Sequence, residues 1–193
     1  MARPAPNDAG GETRYTVARY LALFEEGALA PDDRVELLEG VVIAMPPSNP
    51  PHAAAISRII RALFEAVGRK ATLRVQSSFV AGRYSMPEPD VAVVPGRESD
   101  YDKAHPTAAL LVVEVAEWSL PQDRVTKSRI YAAAGVPECW IVNLRDDRVE
   151  VLRSPDRKRR VYTETAVARR GERITLAAIP QAGVAVDDLL PDR

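Results

Sequence analysis

Residues 108–116 read AALLVVEVA, eight apolar positions around a single glutamate. A run that is apolar on every side lacks the alternation of a strand with one wet face, and it is too short to be a helix on its own. It therefore dictates a strand covered on both faces, at the centre of a sheet that lies between helices. Glu114 is the anomaly in that strand, because an unpaired charge in such a place costs several kcal/mol. A cation has to meet it. Three kinds would serve: an arginine, the ammonium of Lys127, or a bound divalent metal.

The remaining segments supply the layers this strand needs. YTVARYLALFEEG repeats apolar groups at helical spacing, with Thr16 as N-cap and Gly27 as stop. RVELLEGVVIAMPP alternates and breaks at Glu39-Gly40, which predicts a two-stranded ribbon. A longer helix is expected from about His52 to Gly68, with Ile56, Ile59, Ile60 and Leu63 on one face. TLRVQSSFVAG and EPDVAVVP read as strands joined by the GRYSMP turn. DRVTKSRIYAAAG reads as a helix ending at Gly135, and ECWIVNL and RVEVLR as a strand pair about an RDD turn. A polar strand segment over 160–177 and a short apolar end, VDDLL, complete the chain. The order predicts an α/β domain, a mixed α+β sheet flanked by helices, over residues 14–193, behind a flexible N-terminal tail over 1–13 that is rich in Pro, Gly, Asn and Asp.

Composition narrows the chemistry. No stretch approaches the roughly 18 apolar residues of a membrane span, and MARPAPNDAGGETR lacks the apolar core of a secretory signal, so a soluble, cytoplasmic protein with no membrane partner is expected. The lone Cys139 excludes an intramolecular disulfide and a thiolate metal cage, so any metal sits on oxygen ligands. A net charge of −1 gives no general cationic field, and any contact with DNA has to be local. The RKRR run at 157–160 reads as a solvated turn, and Trp118 and Trp140 read as core or interface aromatics.

Charged groups placed against apolar runs are the candidate chemistry. Asp90 opens a strand directly after Pro89, which has no donor to extend pairing backwards, so its carboxylate lies at a strand mouth. Two strand-borne acids near each other favour a metal, and one or two carboxylates plus water suit magnesium. Lys127 lies on the following helix and shares one side of it with Arg124 and Tyr131 by three-and-four spacing. Glu36, favoured over the turn residue Glu39, together with His52 and Gln76, brackets apolar runs and can join the site. Each has a structural reading too: Asp90 as a turn residue, Glu114 as an ion pair, Lys127 as a solvated helix lysine, His52 as a polar residue at a helix start, Gln76 as a partner of neighbouring backbone.

The ordered series VELLEGVVIAMPPSNPPH, EPDVAVV, LLVVEVAEWS and DRVTKSRIYAAAGVPECWIV resembles the Uma-two group of candidate restriction endonucleases, a branch of the PD-(D/E)XK nuclease superfamily, over roughly residues 14–190. The resemblance implies a restriction-endonuclease-like fold and a DNA endonuclease that uses magnesium or manganese. It makes Asp90 the aspartate of the PD element and Glu114 the acid of the ExK element, these two being the metal ligands. Glu36 is then the early acid and Lys127 a catalytic lysine relocated to the helix. His52, Gln76 and Tyr131 are possible accessory residues. The third position of the ExK element is Ala116 instead of lysine, which leaves open a second reading: a non-catalytic nucleic-acid-binding or scaffold protein on the same fold. Nucleases of this kind often act as two-fold pairs, so a homodimer is expected.

Overall fold

A computed structural model describes residues 14–117 and 123–192; the expected tail over 1–13 and Trp118 lie outside the described residues. Helix α1 spans Val17–Glu25, and the Thr16 side chain accepts from the Arg19 N–H at its N-terminus. Strands β1 (Val35–Leu38) and β2 (Val41–Ala44) pair antiparallel. Their turn residues Glu39 and Gly40 both have positive φ, 51° and 88°, as a two-residue hairpin turn of matching twist requires. Gly40 is further obliged to be glycine, since a Cβ there would lie 2.6 Å from Arg14 Cβ.

Helix α2 spans Pro50–Val67 and starts two residues before the expected His52. Pro50 and Pro51 occupy the first positions, where a missing N–H breaks no helical bond, and Asn49 accepts from the His52 N–H at 3.0 Å. The Pro-Pro pair thus opens the helix and does not precede it. Ile56, Ile59 and Leu63 are buried, with Ile60 at the edge.

Six strands form the main sheet: β3 (Thr72–Val75), β4 (Val91–Val94), β5 (Leu111–Ala116), β6 (Glu138–Asn143), β7 (Arg148–Asp156) and β8 (Val161–Arg169), in that spatial order. All neighbours are antiparallel except β5 and β6, which run parallel because helix α3 (Ser128–Ala134) lies between them in the chain. The sheet is therefore mixed. The RKRR run is indeed the turn between β7 and β8.

Strand β5 is covered on both faces as its composition requires. Val113 and Val115 pack with Ile59, Leu63 and Trp140 in the core on the α2 side, and Val112 packs with Tyr131, Cys139 and Phe79 on the α3 side. Period-two alternation then aims Glu114 and Ala116 at the α3 side.

Two local expectations are corrected. Residues 72–82 are not one strand: β3 stops at Gln76, whose φ is 41°, and the chain leaves the sheet until Asp90. Within that excursion Met86 exchanges backbone bonds with Leu37, which pins the β1–β2 ribbon to the domain. The 160–177 segment is two strands, β8 and β9 (Arg173–Leu176), and β9 pairs with β10 (Ile179–Ala185), whose Pro180 and Gly183 conceal it in the sequence. No helix among the described residues is long and apolar enough to cross a membrane.

Glu138 ties these layers together from a fully buried position. Its carboxylate accepts from Trp140 Nε1 at 2.9 Å, from Arg153 Nε and Nη2 at 2.8 and 2.7 Å, and from the Ala177 N–H at 2.7 Å. Arg153 is 35% exposed and water can take up its freed donors, so the cost of Glu138→Ala falls on the Trp140 Nε1 and Ala177 N–H groups left without their acceptor, about 1–3 kcal/mol each. Urea unfolding measures this; a loss below about 1 kcal/mol, typical of an exposed pair, would contradict it.

Candidate active site

Continuing the β4–β5 register by one residue from the Val91–Val113 pair places Asp90 opposite Glu114. Facing residues of adjacent strands project to the same side, which brings the two acids of the sequence reading to one place. Asp90 is 9% exposed. Its Oδ2 accepts from the Val115 N–H at 2.8 Å and lies 3.3 Å from His52 Nε2, and its carbonyl accepts from the Gln76 N–H at 3.1 Å. His52 Nδ1 in turn faces Ser48 Oγ at 3.2 Å.

Glu114 receives two side chains from one helical segment. Tyr131 donates its hydroxyl to Oε1 at 2.5 Å, and Lys127 Nζ lies 3.3 Å from Oε2. Burial foremost, and then the charge of Glu114, raise the Tyr131 phenol well above its ordinary range, so it stays a neutral donor. The same ammonium lies 3.3 Å from Glu36 Oε2, which also accepts from the Glu88 N–H at 3.2 Å. Lys127 is 7% exposed and both its carboxylates are 3% exposed. The cation that Glu114 demands is thus provided by Lys127.

A π-type turn over Asp123–Lys127 delivers this lysine into α3. The wider turn spoils the even three-and-four spacing expected for Arg124, Lys127 and Tyr131. Lys127 and Tyr131 both reach Glu114, whereas Arg124 diverges to Glu150 on β7, bonding it through Nε at 2.7 Å and through Nη2. Ala116, which faces the same side as Glu114, is wholly buried.

Glu36, His52, Gln76, Asp90, Glu114 and Lys127 all line one cavity of about 300 Å³, and Tyr131 stands behind Glu114. Glu39 is placed apart, in the ribbon turn, where Arg160 and Arg129 meet it. Among the lining residues that sequence reasoning missed are Arg34, Asn49, Glu88 and Glu117. Glu88 was legible in principle, since it lies inside the Pro-Glu-Pro-Asp cluster; burial first, and then the charge of Glu36, raise its carboxyl against opposition from Ser78, Arg34 and Lys127. Asn49 both caps α2 and donates to Glu117 Oε2 at 2.6 Å.

Five carboxylates line the cavity, Glu36, Glu88, Asp90, Glu114 and Glu117, against two basic side chains, Arg34 and Lys127. The wall is electronegative and its donors are hard oxygens, a set that fits magnesium or manganese and not a soft metal. Among the described residues no group of three or more His, Cys, Asp or Glu can hold a metal by itself. The fit is accordingly that of an ion held by one or two carboxylates, with the rest of its shell water or substrate oxygen.

A family model described as "Putative restriction endonuclease", Uma2, matches residues 17–187. A crystal structure of "a putative nuclease belonging to DUF820" from Anabaena variabilis ATCC 29413 is similar with a TM-score of 0.72 and 20% identity, over 90% of this chain and 96% of that one. No curated protein matches the chain.

Two outcomes follow from the charge arrangement. Lys127→Met leaves Glu36 and Glu114 facing each other without their shared cation, and is expected to cost about 3–5 kcal/mol in urea unfolding at neutral pH without divalent ions; a loss below about 1 kcal/mol would show that the ammonium is not what stabilises the pair. Burial by itself would raise the Glu150 carboxyl, but hydrogen bonds from Arg124 and Asn143, with the charges of Arg124 and Arg148, outweigh it and hold the group below its ordinary value. A depressed carboxyl contributes stability above its unfolded value of about 4.3, which is lost as pH falls through the folded value. Glu150→Gln should therefore lower the urea midpoint at pH 7, and the gap to the unaltered protein should close as the pH is taken below about 4.

Proposed function

Since the chain belongs to the Uma2 family, described as "Putative restriction endonuclease", we propose that it is a DNA endonuclease that hydrolyses phosphodiester bonds with a divalent cation, magnesium or manganese, in the cavity between β1, the start of α2, β5 and the turn that carries Lys127. The observation that carries this reading is the convergence of Asp90, Glu114 and Lys127 on one electronegative cavity. Asp90 and Glu114 would hold the ion. When bound, it supplies Lewis-acid charge that offsets the negative charge building on the phosphate.

The chain's own residues divide the remaining work. Lys127 presents an ammonium that steadies the attacking hydroxide or the phosphate oxygens, in the place the superfamily gives to the position here occupied by Ala116. Glu36 anchors that ammonium from the ribbon side, 3.3 Å away, so Lys127 is held between Glu36 and Glu114. Tyr131 orients Glu114 through its 2.5 Å bond, and His52 together with the Val115 N–H fixes Asp90. Gln76, whose N–H bonds the Asp90 carbonyl, holds the strand mouth. We further place the protein in the cytoplasm as a homodimer, because cutting both strands of a duplex takes two sites related by the duplex two-fold axis.

A second reading is favoured by Ala116 together with the double engagement of Lys127: a protein that binds DNA on this fold without cutting it. The two readings separate in one set of assays. Cleavage of labelled duplex DNA should require magnesium or manganese and disappear in Asp90→Ala and Glu114→Gln, and Lys127→Met should lower it by about 10²–10³-fold. Manganese should also raise the thermal midpoint of Lys127→Met more than that of the unaltered protein, because it supplies the missing charge. Cutting that survives Asp90→Ala would reject the assignment; DNA binding identical with and without metal, and never followed by cutting, would establish the second reading. Sedimentation of the same preparations checks the dimer, which a purely monomeric profile would rule out.

A further inference from the structure

We infer that the β7–β8 turn and the arginines gathered about Glu39 form a docking surface for the sugar-phosphate backbone of nucleic acid, next to the cavity; the inference rests on the nuclease reading and supplies its substrate handle. Glu39 lies in the ribbon turn, and cations from three distant segments converge on it. Arg160 bonds its Oε1, Arg129 Nη2 lies 3.8 Å from the same oxygen, and Arg14 Nε donates to its carbonyl at 2.8 Å. Arg14 and Arg83 also lie over the Tyr84 ring, 4.9 and 5.4 Å from its centroid. Two guanidinium groups therefore meet the Glu39 carboxylate, a third bonds its carbonyl, and a fourth, that of Arg83, shares the Tyr84 ring with Arg14.

From Arg160 the positive charge continues through Arg157, Lys158 and Arg159, all exposed in the turn. The acid at the start of that turn, Asp156, spends Oδ1 on the Arg159 N–H at 2.9 Å. A solvated turn explains why residues 157–159 face water, but it does not explain why Arg14, Arg83 and Arg129 are folded against the same place. In a chain whose net charge is −1, such a concentration is a local field, and its mutual repulsion is relieved by a polyanion. Arginine suits phosphate in particular, since its planar fork offers two parallel donors.

The surface is also correctly placed for the proposed reaction. Glu36 in the cavity lies on β1 and Glu39 in the patch begins the turn that follows it, three residues on, which keeps the two within about 10 Å at 3.3 Å per residue. Lys127 and Arg129 leave one helical segment on different sides, the first toward Glu36 in the cavity and the second toward Glu39. One strand of a duplex advances about 3.4 Å per nucleotide, so a backbone lying on the patch would carry a phosphate into the cavity about three nucleotides away.

The test compares the full chain with K158E/R159E and, on a separate segment, R83S, all exposed positions outside the cavity. Fluorescence anisotropy with labelled duplex DNA, and with RNA of the same sequence, is measured in EDTA between about 50 and 200 mM salt, beside phosphatidylserine vesicles. K158E/R159E is expected to bind nucleic acid at least tenfold more weakly, with a salt slope shallower by about two, and R83S to lower the slope by about one. An unchanged Kd and slope in both variants would overturn the inference, as would an unaltered protein that binds the vesicles and not nucleic acid. Hydrolysis of bis(4-nitrophenyl) phosphate with manganese reports on the cavity alone, and K158E/R159E should keep it. If the variants lose nucleic-acid binding while no protein hydrolyses the small diester, the surface stands and it is the nuclease reading that fails.

Discussion

One ammonium shared by two buried carboxylates is the constraint on which this structure turns. Lys127 stands 3.3 Å from both Glu36 and Glu114, and all three groups have been withdrawn almost completely from water. Desolvating three charges is expensive, and only their mutual attraction and the hydrogen bonds around them offset it. Each comes from a different part of the chain: the ribbon, the central strand and the helical crossover that makes β5 and β6 parallel. The ribbon, which belongs to neither face of the main sheet, is held in place by this charge contact and by the Leu37–Met86 bridge. A fold whose layers were joined only by apolar packing would have no reason to fix the ribbon at this height on the sheet.

The helical side of that contact needs its own support. An ammonium on a flexible four-carbon stem is positioned only as well as the backbone beneath it. The π-type turn over Asp123–Lys127 sets that backbone, and Arg124, by gripping Glu150 on β7, fastens the turn to the sheet. Four residues further on, Tyr131 closes on Glu114 from the other side. Glu114 is thus bounded by a neutral donor and a cation, which fixes its plane and leaves the cavity side to whatever enters. Asp90 is treated alike, with the Val115 N–H and His52 both at Oδ2. Both acids are oriented before any ligand is present, the condition under which electrostatic stabilisation is strongest.

How much of this the sequence disclosed depends on whether the signal was local. LLVVEVA disclosed a central strand and an unexplained glutamate because burial on both faces leaves its mark on every residue of a strand. The approach of Asp90 to Glu114 was also accessible, since both acids sit on strands that had to neighbour each other. The partner of Glu114 was not, because an arginine, Lys127 and a metal all suited the pattern and the pairing of two acids favoured the metal, whereas the helical segment brings Lys127 and Tyr131 onto the carboxylate. The π-type turn removed Arg124 from the site, and i→i+5 geometry has no signature in residue spacing. Glu117 escaped because its significance lies in Asn49, 68 positions away. Strand β10 escaped because Pro180 and Gly183 outweigh the apolar residues around them in any local reading, although an edge position tolerates both.

The distribution of charge resolves a conflict that a near-neutral protein would otherwise face. A cavity meant for a divalent cation must be negative, yet a surface meant for a polyanion must be positive, and the two must lie close together for the anion to reach the cation. Here the acids are turned inward, on β1, on β5 and at the mouth of β4, and the arginines are turned outward, on the β7–β8 turn, on α3 and ahead of α1. The two lie within about 10 Å of each other, so an approaching phosphate chain meets the exposed arginines first, while the buried acids keep a weakly screened attraction for a metal ion. Burial depth is therefore what lets one small domain present opposite signs to two ligands that must meet.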